Sequence, residues 1–210
     1  MWQAGRYTIG SLVRLLTPLR NYGPERVPRT GGAVLAFNHF HWVDPPAFGL
    51  LSPRPITFVA KVEAHRIPGL GQLIRSFGTI SVRRGESDRE AVRLMRGAVR
   101  EGQALGLFVE GTRQLNGVPG HVQPGAAMVA LQESVPVVPA AIYGSYEWKP
   151  GNFHPIAVAW GEPVLFEGLP KGAKGYREAS AEVERRIHAL HAWLAEMHEL
   201  GRPKRATPPA

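Results

Sequence analysis

Two polar clusters in this sequence contain side chains that can do chemistry, and the first is a histidine followed five residues later by an aspartate. His39 comes just after the apolar run 33–37, and Asp44 opens the sequence Asp-Pro-Pro. Aspartate is a favoured N-cap and proline suits a first helical turn, so we predict that Asp44 caps a helix running to Leu51. A carboxylate on one imidazole nitrogen fixes the tautomer and leaves the other nitrogen free to accept a proton. The spacing therefore predicts a general base; the alternative is a plain capping aspartate beside a structural histidine.

The second cluster is Glu110-Gly111-Thr112-Arg113, which ends the hydrophobic run 104–109. Gly111 permits a sharp turn or the close approach of a ligand. Thr112 offers a hydroxyl group, and the planar guanidinium of Arg113 suits a carboxylate or a phosphate. An ordinary strand-end turn with solvated charges is the alternative. Two such clusters fit the rule that open α/β sheets bind ligands beyond the carboxyl ends of their strands.

The elements that must position these clusters alternate between strand and helix patterns. This alternation predicts an α/β fold, a single domain with a mixed, mostly parallel sheet covered by helices. The predicted strands are 33–37, 56–60, 78–82, 104–109, 135–142 and 156–160; the predicted helices are 45–51, 68–76, 87–101, 124–132 and 177–200.

The two ends of the chain are expected to differ from the domain between them. Residues 1–20 have the spacing of an amphipathic helix, which either lies at a membrane interface or packs on the protein's own core. Residues 21–201 form the main domain and end in the long helix. Residues 202–210 are basic and proline-rich, and we predict a frayed tail.

Ordered sequence blocks carry a resemblance to a known family. The blocks are 38–44, 60–63 with 68–71, 78–84, 110–113 and 135–142. In this order they resemble the signature blocks of the glycerophospholipid acyltransferases, typified by lysophosphatidic acid acyltransferase. The chain departs from the family pattern at Ser81, Arg83, Val109 and Gln114, beside the expected phosphate-binding residues, which leaves the acceptor lipid open.

The resemblance implies a reaction. His39 would deprotonate the free hydroxyl of a lysophospholipid, with Asp44 orienting the imidazole ring, and the oxygen would attack an acyl thioester. The expected acceptor is 1-acylglycerol-3-phosphate, which gives phosphatidic acid, and the expected donor is acyl-CoA or acyl carrier protein as co-substrate, with no other cofactor. A different glycerol or lipid acceptor is the alternative.

The resemblance also implies the residues that hold the acceptor. Arg84 and Arg113 would bind its phosphate, with Thr112 and Lys61 assisting. Glu110 would orient an arginine or the acceptor, and Gly111 completes the substrate-binding block.

Composition narrows the setting. The 210 residues contain no cysteine, which excludes a cysteine nucleophile and a disulfide framework. No apolar run approaches the roughly 18 residues of a membrane span, and the N-terminus lacks a signal-peptide pattern. We therefore expect a peripheral protein on the cytoplasmic side of a membrane.

The net charge of +8 predicts an anionic partner. In the predicted helix 87–101, Ser87 and Glu90 have capping-box spacing. The arginines of this helix recur on one face, which is either a solvated basic face or a dock for anionic lipid or an acidic carrier protein. They are Arg89, Arg93, Arg96 and Arg100.

Two functions from other classes compete with this interpretation. His39, His41 and Asp44 could be ligands of a metal-dependent hydrolase, although that leaves 110–113 unexplained. A nucleic-acid-binding protein would suit the charge, but the basic residues are not interleaved with aromatics as such modules require. We expect neither a metal nor a nucleic acid, and we interpret His188 and His191 as solvated histidines.

Overall fold

The computed structural model describes residues 15–83 and 88–210. Its strands are β1 (Leu19–Tyr22), β2 (Ala33–Phe37), β3 (Ile56–Lys61), β4 (Ile80–Val82), β5 (Ala104–Phe108), β6 (Val137–Tyr143) and β7 (Ile156–Trp160). Its helices are α1 (Asp44–Leu51), α2 (Val62–Arg66), α3 (Leu70–Ser76), α4 (Arg89–Arg100), α5 (Gly125–Glu133) and α6 (Ala173–Glu199), and a 3-10 turn covers Pro24–Arg26.

The strands form one sheet in the order β1-β7-β6-β2-β5-β3-β4. Every neighbouring pair is parallel except β6 and β7, which run antiparallel. This topology confirms the predicted α/β fold with a mixed, mostly parallel sheet and a long C-terminal helix. Because β2, β3, β5 and β6 are parallel, their carboxyl ends meet at one edge of the sheet, where the two polar clusters begin.

The core lies on both faces of the central strand β2, whose five residues are all buried. Leu35 and Phe37 point to the face covered by α1, while Val34 and Ala36 point to the face covered by α4, α5 and α6. Phe37 stacks on Phe48 with ring centroids 4.0 Å apart. A buried phenylalanine stabilises a fold by about 1.5–3 kcal/mol, so this stack fixes α1 firmly beneath the end of β2.

The ends of the chain differ from the prediction where the structure describes them. Residues 1–14 of the predicted N-terminal helix lie outside the described residues, and Leu19 and Arg20 belong to β1, because β7 offers them strand partners. The C-terminal tail is docked rather than frayed. Tyr22 donates a hydrogen bond to the carbonyl of Pro203, and Arg26 donates to the carbonyls of Pro208 and Pro209.

Two helix predictions also need correction. The predicted helix 68–76 is preceded by a separate short helix, α2, and the turn between α2 and α3 uses Gly69 at a φ of 77°. At α4 the N-cap is Asp88, which accepts from the backbone N–H of Ala91. Glu90 pairs with Arg93, and Ser87, the other member of the predicted capping box, lies outside the described residues.

The basic face of α4 is partly neutralised within the fold. Arg96 and Arg100 share the carboxylate of Glu133 of α5, and Arg93 pairs with Glu90 of the same helix. Three of the four arginines therefore form ion pairs, two of them between helices. Among the described helices, none is both long and apolar enough to cross a membrane.

Candidate active site

Asn38 fixes the backbone at the point where β2 ends and the first cluster begins. Its side chain is fully buried and forms two hydrogen bonds with Ile142 of β6, donating to the carbonyl at 3.1 Å and accepting from the N–H at 2.9 Å. The amide therefore continues the β2–β6 pairing through a side chain. This clamp delivers His39 to the edge of the sheet in a fixed position.

His39 and Asp44 form a hydrogen-bonded pair. Nδ1 of His39 lies 2.8 Å from Oδ2 of Asp44, whose side chain is completely buried. The same oxygen accepts the backbone N–H groups of Phe40 and His41 at 2.7 and 2.8 Å. Within the described residues, no group hydrogen-bonds to Nε2 of His39, and the imidazole is 15% exposed. This geometry presents one imidazole nitrogen to a substrate while a buried carboxylate holds the other.

The structure changes the predicted capping role of Asp44. It is the first residue of α1, and the N-cap is Val43, which has no side-chain cap. The carboxylate turns back towards the preceding loop, because three N–H donors converge there. Asp44 thus organises the loop 39–44 rather than the helix.

Glu110 is a buried carboxylate that ties the two clusters together. One oxygen accepts the backbone N–H of His39 at 2.9 Å, and the other accepts that of Gly120 at 2.8 Å. Burial raises the pKa of Glu110 to about 7; the two backbone N–H groups oppose the rise, and Asp44 adds to it. Because both oxygens are used and only 6% of the residue is exposed, its place differs from the predicted contact with substrate or an arginine.

Further contacts hold the two loops against each other. The imidazole of His39 lies on the ring of Phe108, with centroids 4.1 Å apart. The carbonyl of His39 accepts the backbone N–H of Gln114 at 2.8 Å. Gly111 turns the chain between these contacts at a φ of 76°, a conformation that favours glycine.

The described members of the predicted phosphate-binding set lie at the same edge of the sheet, and no hydrogen bond in the described part of the chain joins their side chains. Thr112 and Arg113 are exposed in the loop that follows β5. Lys61 is exposed at the end of β3, the strand next to β5. Arg84 lies outside the described residues.

His41 belongs to the same loop as His39 and Asp44, but its ring has a different environment. Burial lowers the pKa of His41, and the guanidinium of Arg113 lowers it further against the opposing effect of Asp44. Its Nδ1 accepts the backbone N–H of Val43 at 3.4 Å. Among the described residues, the His41 ring forms no other hydrogen bond, so it does not join the His39–Asp44 pair.

In the part of the chain that the structure describes, no group of three or more histidine, aspartate or glutamate side chains is arranged to hold a metal ion. His191, predicted to be solvated, packs against Phe40 and Tyr143. Burial lowers the pKa of His191 to about 4.

Sequence reasoning gave no role to the residues that hold the pair in place. Asn38 could have been found, because an asparagine directly after a wholly apolar strand must pair its amide inside the fold. Phe108 and the backbone of Gly120 carried no such signal, since their contacts depend on how two distant loops meet.

Comparisons with known proteins agree on the class of this chain. A family model described as Acyltransferase matches residues 18–143. The 1-acyl-sn-glycerol-3-phosphate acyltransferase of Bacillus subtilis (strain 168) is 30% identical over 129 residues, which cover 61% of this chain and 64% of that protein. The lyso-ornithine lipid O-acyltransferase of Pseudomonas aeruginosa is 36% identical over 107 residues, which cover 50% of this chain and 40% of that protein.

A solved structure extends the likeness of fold beyond the matched blocks. The crystal structure of the 1-acyl-sn-glycerophosphate (LPA) acyltransferase from Thermotoga maritima aligns with a TM-score of 0.72 at 23% identity, covering 98% of this chain and 81% of that chain. The sequence matches to the two relatives above, by contrast, span less than two thirds of either relative's length.

Proposed function

This chain belongs to the acyltransferase family, and from that premise we propose that it transfers a fatty acyl group from an acyl thioester to the free hydroxyl of a lysophospholipid. The observation that carries the proposal is the pairing of His39 Nδ1 with buried Asp44 at 2.8 Å, with Nε2 left for a substrate hydroxyl. The proposed acceptor is 1-acylglycerol-3-phosphate, as in the name of the Bacillus relative, and the product is phosphatidic acid.

The proposed reaction needs one general base. Nε2 of His39 takes the proton of the acceptor hydroxyl as its oxygen attacks the thioester carbonyl carbon. The carbon–sulfur bond then breaks, and the departing thiolate receives the proton from the imidazolium. Asp44 stabilises the imidazolium and holds the ring in the tautomer that leaves Nε2 unprotonated.

Cations at the same edge of the sheet are the proposed phosphate ligands. Arg113 presents a planar guanidinium, which forms no ion pair with the residues that the structure describes, from the loop that also contains Thr112, and Lys61 ends a neighbouring strand. Arg84 joins them in the proposal from its place in the sequence block 78–84. Coenzyme A or acyl carrier protein would deliver the acyl group, and a lysophospholipid acceptor would bring the protein to the cytoplasmic face of a membrane.

The test is product analysis by mass spectrometry. The wild type, His39→Ala and His121→Ala are incubated with palmitoyl-CoA, and then with acyl carrier protein as donor, together with a panel of lysophospholipids. His121 is the matched control, because it also pairs with a carboxylate, Glu184 at 2.7 Å, but on the exposed surface. We expect a new diacyl lipid from the wild type and from His121→Ala, and a rate lower by about 10²–10⁴-fold for His39→Ala.

A rate near that of the wild type for His39→Ala would refute the proposed mechanism. If the wild type formed no product with either donor across the whole panel, the proposed reaction would be refuted.

A second acceptor is also favoured by a specific observation. The relative from Pseudomonas aeruginosa is named as an O-acyltransferase of a lyso-ornithine lipid, an acceptor whose headgroup is an amino acid and not a phosphate. The panel therefore includes this acceptor, and a preference for it would move the role of Arg113 from a phosphate to a carboxylate.

A further inference from the structure

The α2–α3 segment presents an apolar surface to solvent beside the candidate active site. Ile67, Leu70 and Leu73 are 50, 42 and 44% exposed. Leu70 and Leu73 lie on one side of α3, because residues three apart are neighbours on a helix, and Ile67 lies just before them, at the end of α2. We name these three side chains the apolar tip.

Specific contacts hold together the α2–α3 segment that carries the apolar tip. Gly71 allows α3 to approach α2 closely, since a Cβ there would collide with the carbonyl oxygen of His65. Arg75 donates to the same carbonyl at 2.7 Å, and Gln72 accepts the backbone N–H of Gly69 at 2.6 Å. These contacts fix α3 against α2, and Leu70 and Leu73 remain exposed on it.

Positively charged side chains outnumber negatively charged ones around the apolar tip. Lys61, Arg66 and Arg75 are exposed in and beside the segment, against the carboxylate of Glu63 among its described residues. In the described part of the chain, neither Arg66 nor Arg75 forms an ion pair, whereas on α4 Arg93 pairs with Glu90, and Arg96 and Arg100 share the carboxylate of Glu133. Cations that lack a carboxylate partner beside three exposed aliphatic side chains suit an anionic lipid surface.

The position of the tip also suits this partner. The segment follows the carboxyl end of β3, and β5, which leads to Glu110, is the neighbouring strand. The tip and His39 therefore lie along the same edge of the sheet. A lipid acceptor would have a short path from a bilayer at the tip to the base.

We propose that the apolar tip is the surface by which this protein docks on an anionic phospholipid bilayer, with the three aliphatic side chains inserted and the neighbouring cations on the headgroups. This proposal rests on the proposed function, because the purpose of docking is access to a lipid acceptor. An acidic carrier protein is a less suitable occupant, because three adjacent aliphatic side chains offer it no hydrogen bonds.

The test compares two double variants of the full chain that change the charge equally. Leu70→Asp/Leu73→Asp alters the tip, and Leu94→Asp/Leu165→Asp alters leucines that are 41 and 48% exposed elsewhere, one of them on α4. Each protein is sedimented with phosphatidylcholine vesicles and with mixed phosphatidylcholine–phosphatidylglycerol vesicles. Circular dichroism and the unfolding midpoint establish that each variant is folded.

We expect the wild type and the control to bind the mixed vesicles, with binding that weakens as salt rises, and the tip variant to bind at least about tenfold less. Acyl transfer to a water-soluble short-chain acceptor should be unchanged in both variants, while transfer to vesicle-borne acceptor should fall in the tip variant alone. Equal binding by the tip variant would overturn the proposal, as would an equal loss in the control, which would favour α4.

A wild type that does not bind the mixed vesicles would also overturn the proposal, and if it bound itself or acyl carrier protein instead, loss of that binding in the tip variant would assign the tip to that partner. Failure of the proposed function is distinguishable from these results. In that case no acceptor is acylated, yet the vesicle binding of the two variants still differs.

Discussion

Replacing Glu110 by glutamine tests whether burial controls the charge of the residue that ties the two loops together. Burial raises the pKa of Glu110 from 4.5 to about 7, so the folded protein holds this proton more tightly than the unfolded chain. The stability that this proton adds to the folded protein is fully present below pH 4.5 and is lost as the pH rises through about 7. At about 1.4 kcal/mol per pKa unit, the loss in the free energy of unfolding is about 3 kcal/mol.

Glu110→Gln removes this titration and keeps the shape of a neutral carboxyl group. It also gives up one of the two accepted hydrogen bonds at every pH, a constant cost of about 1 kcal/mol. The informative quantity is therefore the change with pH in the stability gap between wild type and variant. Measured by urea unfolding, the free energy of unfolding of the wild type minus that of the variant should fall by about 2–3 kcal/mol between about pH 5 and about pH 8, so that the variant becomes the more stable of the two.

Glu167→Gln, at an exposed position, provides the control, and its gap should stay flat. A flat gap for Glu110→Gln would refute the claim that burial sets its protonation. A gap that grows with pH would show that the N–H groups of His39 and Gly120 favour the ionised carboxylate more strongly than burial disfavours it.

Two further substitutions test the frame around His39. Asp44→Asn keeps an oxygen for the three converging N–H groups but removes the negative charge. We expect kcat to fall by about a hundredfold or more, while the unfolding midpoint stays close to that of the wild type. A kcat near the wild-type value would show that the charge is dispensable. Asn38→Ala leaves the N–H and the carbonyl of Ile142 unpaired inside the core and should lower the free energy of unfolding by about 2 kcal/mol or more in urea. A loss below that of an exposed Asn116→Ala control would contradict the clamp.

Much of the sheet was predictable because its central strands carry a strong local signal. The runs 33–37 and 156–160 are wholly apolar and match β2 and β7 in both bounds. β1 was missed, since Leu-Arg-Asn-Tyr has no strand pattern of its own. Its pairing with β7 joins residues such as Leu19 and Ile156 that are far apart in the sequence.

Part of the geometry of the candidate site was also predictable, because some of its residues lie close together in the sequence. His39 and Asp44 lie within one short loop, so their spacing alone predicted the pair. The position of Glu110 depends on Gly120 and His39, which belong to different loops, and a solvated glutamate and a buried one look the same in a sequence. The neutralisation of Arg96 by Glu133 of another helix was hidden in the same way.

The contrast between the pair and its frame has a consequence for engineering. His39 and Asp44 are five residues apart, whereas Asn38 reaches Ile142 across 104 residues and the N–H of His39 reaches Glu110 across 71. A transplanted segment 38–44 would bring the two chemical groups into a new scaffold but neither of the long-range anchors. The loop 38–44 is therefore not a portable module, and its transfer requires the three central strands of the sheet with it.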